Sequence, residues 1–348
     1  MKLASYRDGS RDGQLVVVSR DLGTAHYATG AACTLQQALD DWNFVSPQLQ
    51  DLSLELNRGR ARHAFAFDPA MCLAPLPRAS QCVRGTAYPS HRERLRQAGL
   101  RLPLGAVTRA SAPDWWALPG DAMQGARDPV ALGDEAWDLD FEAGLAVITG
   151  DIAAGSAPAR ALEGVRLLML ANTWCLRAPQ AKAWADGLGD AHTRPGQSFG
   201  PVAVTPDELG DAWHHGRLAM TLHTQWNGRR MGVGDTAAHM GLHWGQLLAQ
   251  LSAHRALHAG SVVAGGPVSA PSAEVLAGAG VAVAEPSPVA AGGVHCIAER
   301  RALELLDHGK ATTGYLCWGD EVRVELKSRD GFSPLGALQQ QVVEPAQA

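Results

Sequence analysis

Along this chain, short apolar runs alternate with breaks rich in Gly, Pro and Asp. Few segments carry the three-to-four-residue spacing of an amphipathic helix. Gln14-Leu15-Val16-Val17-Val18-Ser19 is β-branched and predicts a strand, Asp21-Leu22-Gly23 a turn, and His26-Tyr27-Ala28-Thr29 the return of a hairpin. Thr34 precedes Leu35-Gln36-Gln37-Ala38-Leu39 as a helix N-cap, and Leu49, Leu52, Leu54 and Leu56 imply a second helix ending near Asn57-Arg58-Gly59. Residues 69–77 predict a short extended link.

From Leu73 onward strands dominate. Residues 145–149 are an apolar strand. Residues 158–171 place Ala161, Leu162, Val165, Leu168 and Met169 at helical spacing and predict a helix. Residues 202–209 read as a strand running into a turn. Residues 218–226 form a strand entering Asn227-Gly228, a dipeptide that accepts the positive φ of a tight hairpin. A helix over 242–254 carries Leu247, Leu248 and Leu251 on one face, 261–266 is a strand ending in a glycine turn, and 320–326 alternates as a half-exposed strand. Two stretches lack a period. Residues 99–136 read as a lid or binding loop, or as a surface excursion with Trp115 and Trp116 packed down. Residues 267–293 read as a flexible insertion.

Composition narrows the function classes. With 348 residues and a formal charge of −5, the chain supports a sizeable core and offers no basic field for nucleic acid. No apolar run approaches the ~20 residues that span a bilayer, and the first residues have no secretory pattern. The six cysteines include no C-x-x-C pair, which predicts reduced thiols and a cytoplasmic protein. The 38 glycines and 20 prolines suit a turn-rich, β-heavy chain. His239 and His243, at i and i+4, have the spacing of a Zn²⁺ pair but no third ligand, and read as core or surface histidines.

Two segments carry the most specific signal: Trp137-Asp138-Leu139-Asp140-Phe141-Glu142-Ala143-Gly144-Leu145-Ala146-Val147-Ile148 and Leu170-Ala171-Asn172-Thr173-Trp174-Cys175-Leu176-Arg177. They resemble the two metal-binding strands of the fumarylacetoacetate hydrolase family, which carry Glu-x-Glu and Asn-Asp. Asp40-Asp41-Trp42-Asn43-Phe44, Ala74-Pro75-Leu76-Pro77-Arg78-Ala79, the run 201–210 and Cys296-Ile297-Ala298-Glu299-Arg300-Arg301 are similar to further parts of the family's bacterial branch, in the same order. The resemblance implies an α+β, β-rich fold: a small N-terminal α/β domain over 1–72, a mixed β-sandwich roll over 73–343 and a tail at 344–348. It also implies a homodimer, a small carboxylate substrate, and C–C hydrolase or lyase chemistry on a 1,3-dicarbonyl or 2-oxo acid with Mg²⁺ or Mn²⁺.

The pattern departs from the family at the metal. Glu142 matches the first ligand, but Gly144 and Thr173 stand where the other carboxylates belong. One charged ligand of three argues against a stable cation of the family type, because hard cations are held by anionic oxygens. In a strand, Asp138, Asp140, Glu142 and Gly144 share a face, so Asp140 with Glu142 forms a displaced carboxylate pair, or Asp138 and Asp140 are solvated turn residues. Arg194 falls where the family has a Lys and keeps the positive charge at an oxyanion. Gly265 and Gly266 can offer backbone N–H groups to an anion, although Pro267 offers none. Glu299 matches the family's water-activating Glu, or forms a surface ion pair with Arg300 and Arg301; His91 is the candidate for its partner histidine. Three functions stay open: a metal-dependent hydrolase or lyase through Glu142, a metal-free enzyme using Arg194, Glu299 and His91 for proton transfer, and a non-catalytic binder of a small acid.

Overall fold

The computed structural model describes residues 1–100, 113–121, 123–270 and 293–345. It opens on an antiparallel meander of β1 (Lys2–Tyr6), β2 (Gln14–Val18) and β3 (Thr24–Tyr27). The hairpin is the expected one. The hydrophobic pattern does not announce β1, whose Lys2 is buried with its Nζ donating to the Pro334 carbonyl at 2.6 Å. Helix α1 (Leu35–Asp40) begins as predicted: Thr34 accepts from the Gln37 N–H while the Gln37 side chain accepts from the Thr34 N–H, satisfying two otherwise orphaned donors. Helix α2 (Trp42–Asn57) and β4 (Phe65–Ala66) complete this part.

The remaining elements follow in order. They are β5 (Gln81–Gly85), α3 (Pro89–Gln97), β6 (Trp115–Leu118), β7 (Met123–Gln124), β8 (Val130–Ala131), β9 (Leu139–Thr149), α4 (Pro158–Leu162), β10 (Val165–Leu176) and α5 (Arg177–Ala185). Then come β11 (Gln197–Phe199), β12 (Ala203–Val204), β13 (Trp213–His214), β14 (Arg217–Leu218), β15 (Thr221–Trp226) and β16 (Arg229–Asp235). Helix α6 (Trp244–Leu251), β17 (Ser261–Pro267), α7 (Ile297–His308), β18 (Glu321–Lys327) and β19 (Ala337–Val343) end the described chain. One large sheet runs β4-β3-β2-β1-β12-β10-β9-β17-β5-β6, and a smaller one runs β16-β15-β18-β19-β8. The β15–β16 hairpin turns at Asn227-Gly228, both at positive φ, as the dipeptide predicts. The fold is α+β and strand-rich.

Strands β9 and β10 form the spine, and both of their faces are covered. Leu145, Val147, Leu168 and Leu170 join the core toward the smaller sheet. Ala146, Ile148, Leu167 and Met169 join the cluster under α1 and α2. This double burial corrects the helix expected over 158–171. Only Pro158–Leu162 is helical, and Val165–Leu176 is strand. A strand covered on both sides shows no alternation, so its continuous apolar run mimics a helical stripe. The segment 99–136 also differs from a plain loop: β6 pairs with β5, and Trp116 is buried there. Residues 101–112 and 122, and most of the expected insertion at 267–293, lie outside the described residues. Among the described residues no helix is long and apolar enough to cross a membrane.

One core residue gives a pH prediction. His295 is fully buried; its Nδ1 lies 2.7 Å from Thr224 Oγ1 and its Nε2 has no hydrogen-bond partner. Burial lowers its pKa to about 4 from an ordinary 6.5. Below 6.5 the unfolded chain therefore takes up a proton that the folded chain refuses, and stability falls until the pH reaches the folded value. The loss is expected to total about 3 kcal/mol, with roughly 2 of it between pH 7 and 5. Urea unfolding of the wild type and His295→Gln at those two pH values checks this: the variant should lose less stability, and equal losses would contradict it.

Candidate active site

The polar segment of β9 continues the face that, further along the strand, carries Ala146 and Ile148. Asp140, Glu142 and Gly144 point to that side with period two. Across β10, Thr173 is the register partner of Glu142 and Ala171 that of Gly144, while Cys296 bridges Glu142 from the other side. The three positions singled out by the resemblance therefore meet in one place. What surrounds them is cationic.

Arg84 Nε lies 2.9 Å from Glu142 Oε2, and Arg194 Nη1 lies 2.8 Å from the same oxygen. Arg177 Nη2 lies 2.8 Å from Oε1, and Thr173 Oγ1 donates to Oε2 at 2.8 Å. A carboxylate presents about four lone-pair directions; here Arg177, Arg194 and Thr173 donate to three of them, and Arg84 adds its charge at 2.9 Å without a hydrogen bond. Burial alone pushes the Glu142 carboxyl up, but Arg194, Arg84 and Arg177 hold it well below the usual carboxylate range. Asp140 is not the solvated turn residue of the sequence expectation: it is fully buried. It pairs with Arg177 at 2.7 Å and accepts the N–H groups of Ile297 and Ala298 at 2.7 and 3.0 Å, so it caps α7 from a neighbouring strand. Its carboxyl is pushed up by burial, against the pull of Arg177. Asp138 sits in a left-handed turn at φ 56°.

These residues do not fit a divalent cation. Such an ion is held by hard oxygen ligands that include at least one free carboxylate, and the one carboxylate at a family ligand position, Glu142, is committed to guanidinium groups. Nor is there space for the second. A Cβ at Gly144 would stand 2.3 Å from the Gly266 carbonyl oxygen, so a glutamate there requires β9 and β17 to move apart.

Beside the arginines stands the expected acid–base pair. Glu299 is the third residue of α7 and His91 the third of α3, so the packing of these helices sets the pair. His91 Nδ1 lies 3.1 Å from Glu299 Oε2, and both residues are buried. The other Glu299 oxygen accepts from Arg94 and, at 2.5 Å, from Ser269 Oγ. Burial would raise the Glu299 carboxyl, but the His91 hydrogen bond and charge and the nearby Arg94 keep it below the ordinary value. A surface ion pair with Arg300 and Arg301 is thus replaced by a buried one. Cys296 Sγ lies 3.8 Å from His91 Nδ1, and its thiol is pushed far up by burial and by Asp140 and Glu299, which keeps it inert as a nucleophile.

His91, Glu142 and Arg194 line one narrow cleft, together with Arg84, Arg92 and Arg177. Thr86, Asp114, Trp116 and Gln180 complete its wall. The lining holds four arginines and two carboxylates, Glu142 and Asp114, and behind it Asp140 and Asp190 pair with Arg177 and Arg194. Four buried donors there, Thr86 Oγ1, Trp116 Nε1, Arg84 Nε and Arg194 Nε, have no hydrogen-bond partner; for the two neutral ones the cost is roughly 1–3 kcal/mol each, which an anionic or carbonyl ligand would relieve. Gly265 and Gly266 are not part of this lining. Gly265 packs 3.1 Å (as a virtual Cβ) from Trp244, and Gly266, at φ 76°, lets the Arg84 guanidinium lie 3.5 Å from where a Cβ would be. Arg84 and Arg177 escape the sequence reading, although each carries a signal. Arg84 is a lone charge in the apolar run of β5, and Arg177 continues the Thr173, Cys175 face by period two.

The chain belongs to the fumarylacetoacetate hydrolase family: residues 1–78 match the model of the Fumarylacetoacetase N-terminal domain 2, and residues 81–343 that of the Fumarylacetoacetate (FAA) hydrolase C-terminal domain. Among solved structures, it is similar to the fumarylacetoacetate hydrolase of the psychrophile Exiguobacterium antarcticum, at 21% identity and a TM-score of 0.63 over 99% of this chain and 100% of that one. It is similar also to maleylpyruvate hydrolase from Sphingobium sp. SYK-6, solved with manganese(II) and pyruvate, at 16% identity and a TM-score of 0.63 over 99% and 100%. A third is 5-carboxymethyl-2-hydroxymuconate delta-isomerase from Mycobacterium smegmatis, at 18% identity and a TM-score of 0.56 over the whole of both chains. Among curated proteins, none matches the sequence.

Proposed function

We propose that this chain is an enzyme acting on a small 2-oxo or 1,3-dicarbonyl acid without a divalent metal, by proton transfer at the carbon beside the keto group. The single observation that carries this reading is the shared cleft: His91, held from behind by the buried Glu299, opens onto the same space as Arg84, Arg177 and Arg194. A guanidinium is a permanent cation with a planar fork of donors, suited to a carboxylate beside a keto oxygen. Among the solved relatives, one carries pyruvate beside manganese and another is named as an isomerase, which fits a substrate of this class.

The steps follow from the residues. The hydrogen bond to Glu299 Oε2 places a proton on His91 Nδ1 and leaves Nε2 as the base. Nε2 takes the proton from the carbon next to the keto group, and that C–H pair moves into a new C=C bond. The C=O pair moves onto oxygen, where the arginine charge stabilises the enolate. Reprotonation at the same or a conjugated carbon by the His91 imidazolium completes a tautomerisation, with Glu299 holding the cation.

The test is exchange of the carbon-bound protons of pyruvate and oxaloacetate in D₂O, followed by NMR with and without EDTA. Exchange that the chelator leaves intact is expected. Exchange that stops with EDTA and returns with Mn²⁺ would restore the metal-dependent reading, and no exchange above the solvent rate would leave a binder of small acids.

A further inference from the structure

The cleft is too narrow for more than a small head group, and a second opening begins at its wall. Trp115, Pro119, Trp184 and Leu188, with Ala117 and Leu118, line a groove of about 950 Å³ open to solvent. Trp116 lines both spaces: the Arg84 guanidinium sits 4.5 Å from the centre of its ring, and its buried Nε1 has no partner. The same two elements build both walls. Strand β6 is flanked by Asp114 at the cleft and Pro119 at the groove. On α5, Gln180 faces the cleft and Trp184, one turn later, faces the groove. Asp190 fixes the junction: Oδ1 accepts from Trp184 Nε1 at 3.1 Å and Gln180 Nε2 at 3.4 Å, and Oδ2 lies 3.5 Å from Arg194 Nε.

We propose that this groove is the tail subsite of the substrate, so that the acid handled in the cleft carries an aromatic or branched apolar substituent. The inference rests on the function proposed above, which supplies the head group. Its own grounds are the continuity at Trp116 and the chemistry of the walls. Indole faces next to a cationic cleft favour a molecule that is anionic at one end and flat or apolar at the other. Leu188, about half exposed, marks the outer rim.

Calorimetric titration of the whole protein with pyruvate and with phenylpyruvate tests it, since the two share the head group and differ in the ring. Phenylpyruvate is expected to bind about tenfold tighter or more, from the area its ring buries. In Trp184→Ala, and independently in the surface change Leu188→Ser, that ratio should fall toward one. Equal affinity of the two acids in the wild type would overturn the tail subsite and leave the head-group reading standing. A tenfold preference that survives both variants would also overturn it, because the ring would then lie elsewhere. If neither acid binds, the head-group reading fails and the tail subsite falls with it.

Discussion

Glu142→Ala is expected to lower stability by roughly 3–5 kcal/mol, or to prevent folding, because it removes the shared counter-ion of three buried arginines. Arg84 and Arg194 are almost wholly buried, and Arg177 nearly so. Burial already pulls the Arg84 guanidinium below its ordinary pKa. Without Glu142, Arg177 keeps Asp140 and Arg194 keeps Asp190 at 3.5 Å, while Arg84 loses its only ion-pair partner among the described residues. Glu142→Gln keeps the shape and an accepting oxygen, so it should cost less than alanine and separate charge from packing. The pH dependence has a definite sign. A carboxylate held below its unfolded value stabilises fully above that value, near 4.5, and loses the contribution only as pH falls through the depressed one. The gap between wild type and variant should therefore hold from neutral pH down to about 4.5 and close in strong acid. Urea unfolding at pH 7 decides it: a difference under about 1 kcal/mol means the arginines do not depend on Glu142.

His91→Asn should reduce the exchange of substrate protons by roughly 10²–10⁴-fold, the usual contribution of a positioned general base. Asparagine keeps a hydrogen bond to Glu299 but offers no nitrogen that can take a proton. Glu299→Gln should cost less, since the imidazole remains and only the partner of its cationic form is lost. Its pattern should also differ, with kcat falling more than affinity for the acid, which the proposed function assigns to Arg84 and Arg194. Full exchange activity in His91→Asn would remove this residue from the chemistry. The carboxyl of Glu299 is held below its ordinary value, so it is ionised throughout the neutral range.

How much of this was legible in the chain depends on how local the signal is. The N-cap at Thr34 and the Asn227-Gly228 turn are decided within four residues, and both are present as read, the cap completed by the Gln37 side chain. The His91–Glu299 pair spans 208 positions and was reached through resemblance, since no spacing joins residues on two helices packed by the fold. The helix expected over 158–171 failed because Leu167 and Met169 face one core while Leu168 and Leu170 face the other. The arginine cluster was half visible. Arg194 came from its place in the family pattern, but Arg84 and Arg177 become site residues only once β5, β9 and β10 lie side by side.

The contact between Gly144 and the carbonyl of Gly266 has an evolutionary consequence. With the two backbones closed over this spot, a single Gly144→Glu change meets a steric clash with the Gly266 carbonyl. Placing the carboxylate at this point therefore takes a second change that moves β9 and β17 apart. In any relative, a glycine at this point should travel with arginines at the places of Arg84 and Arg177.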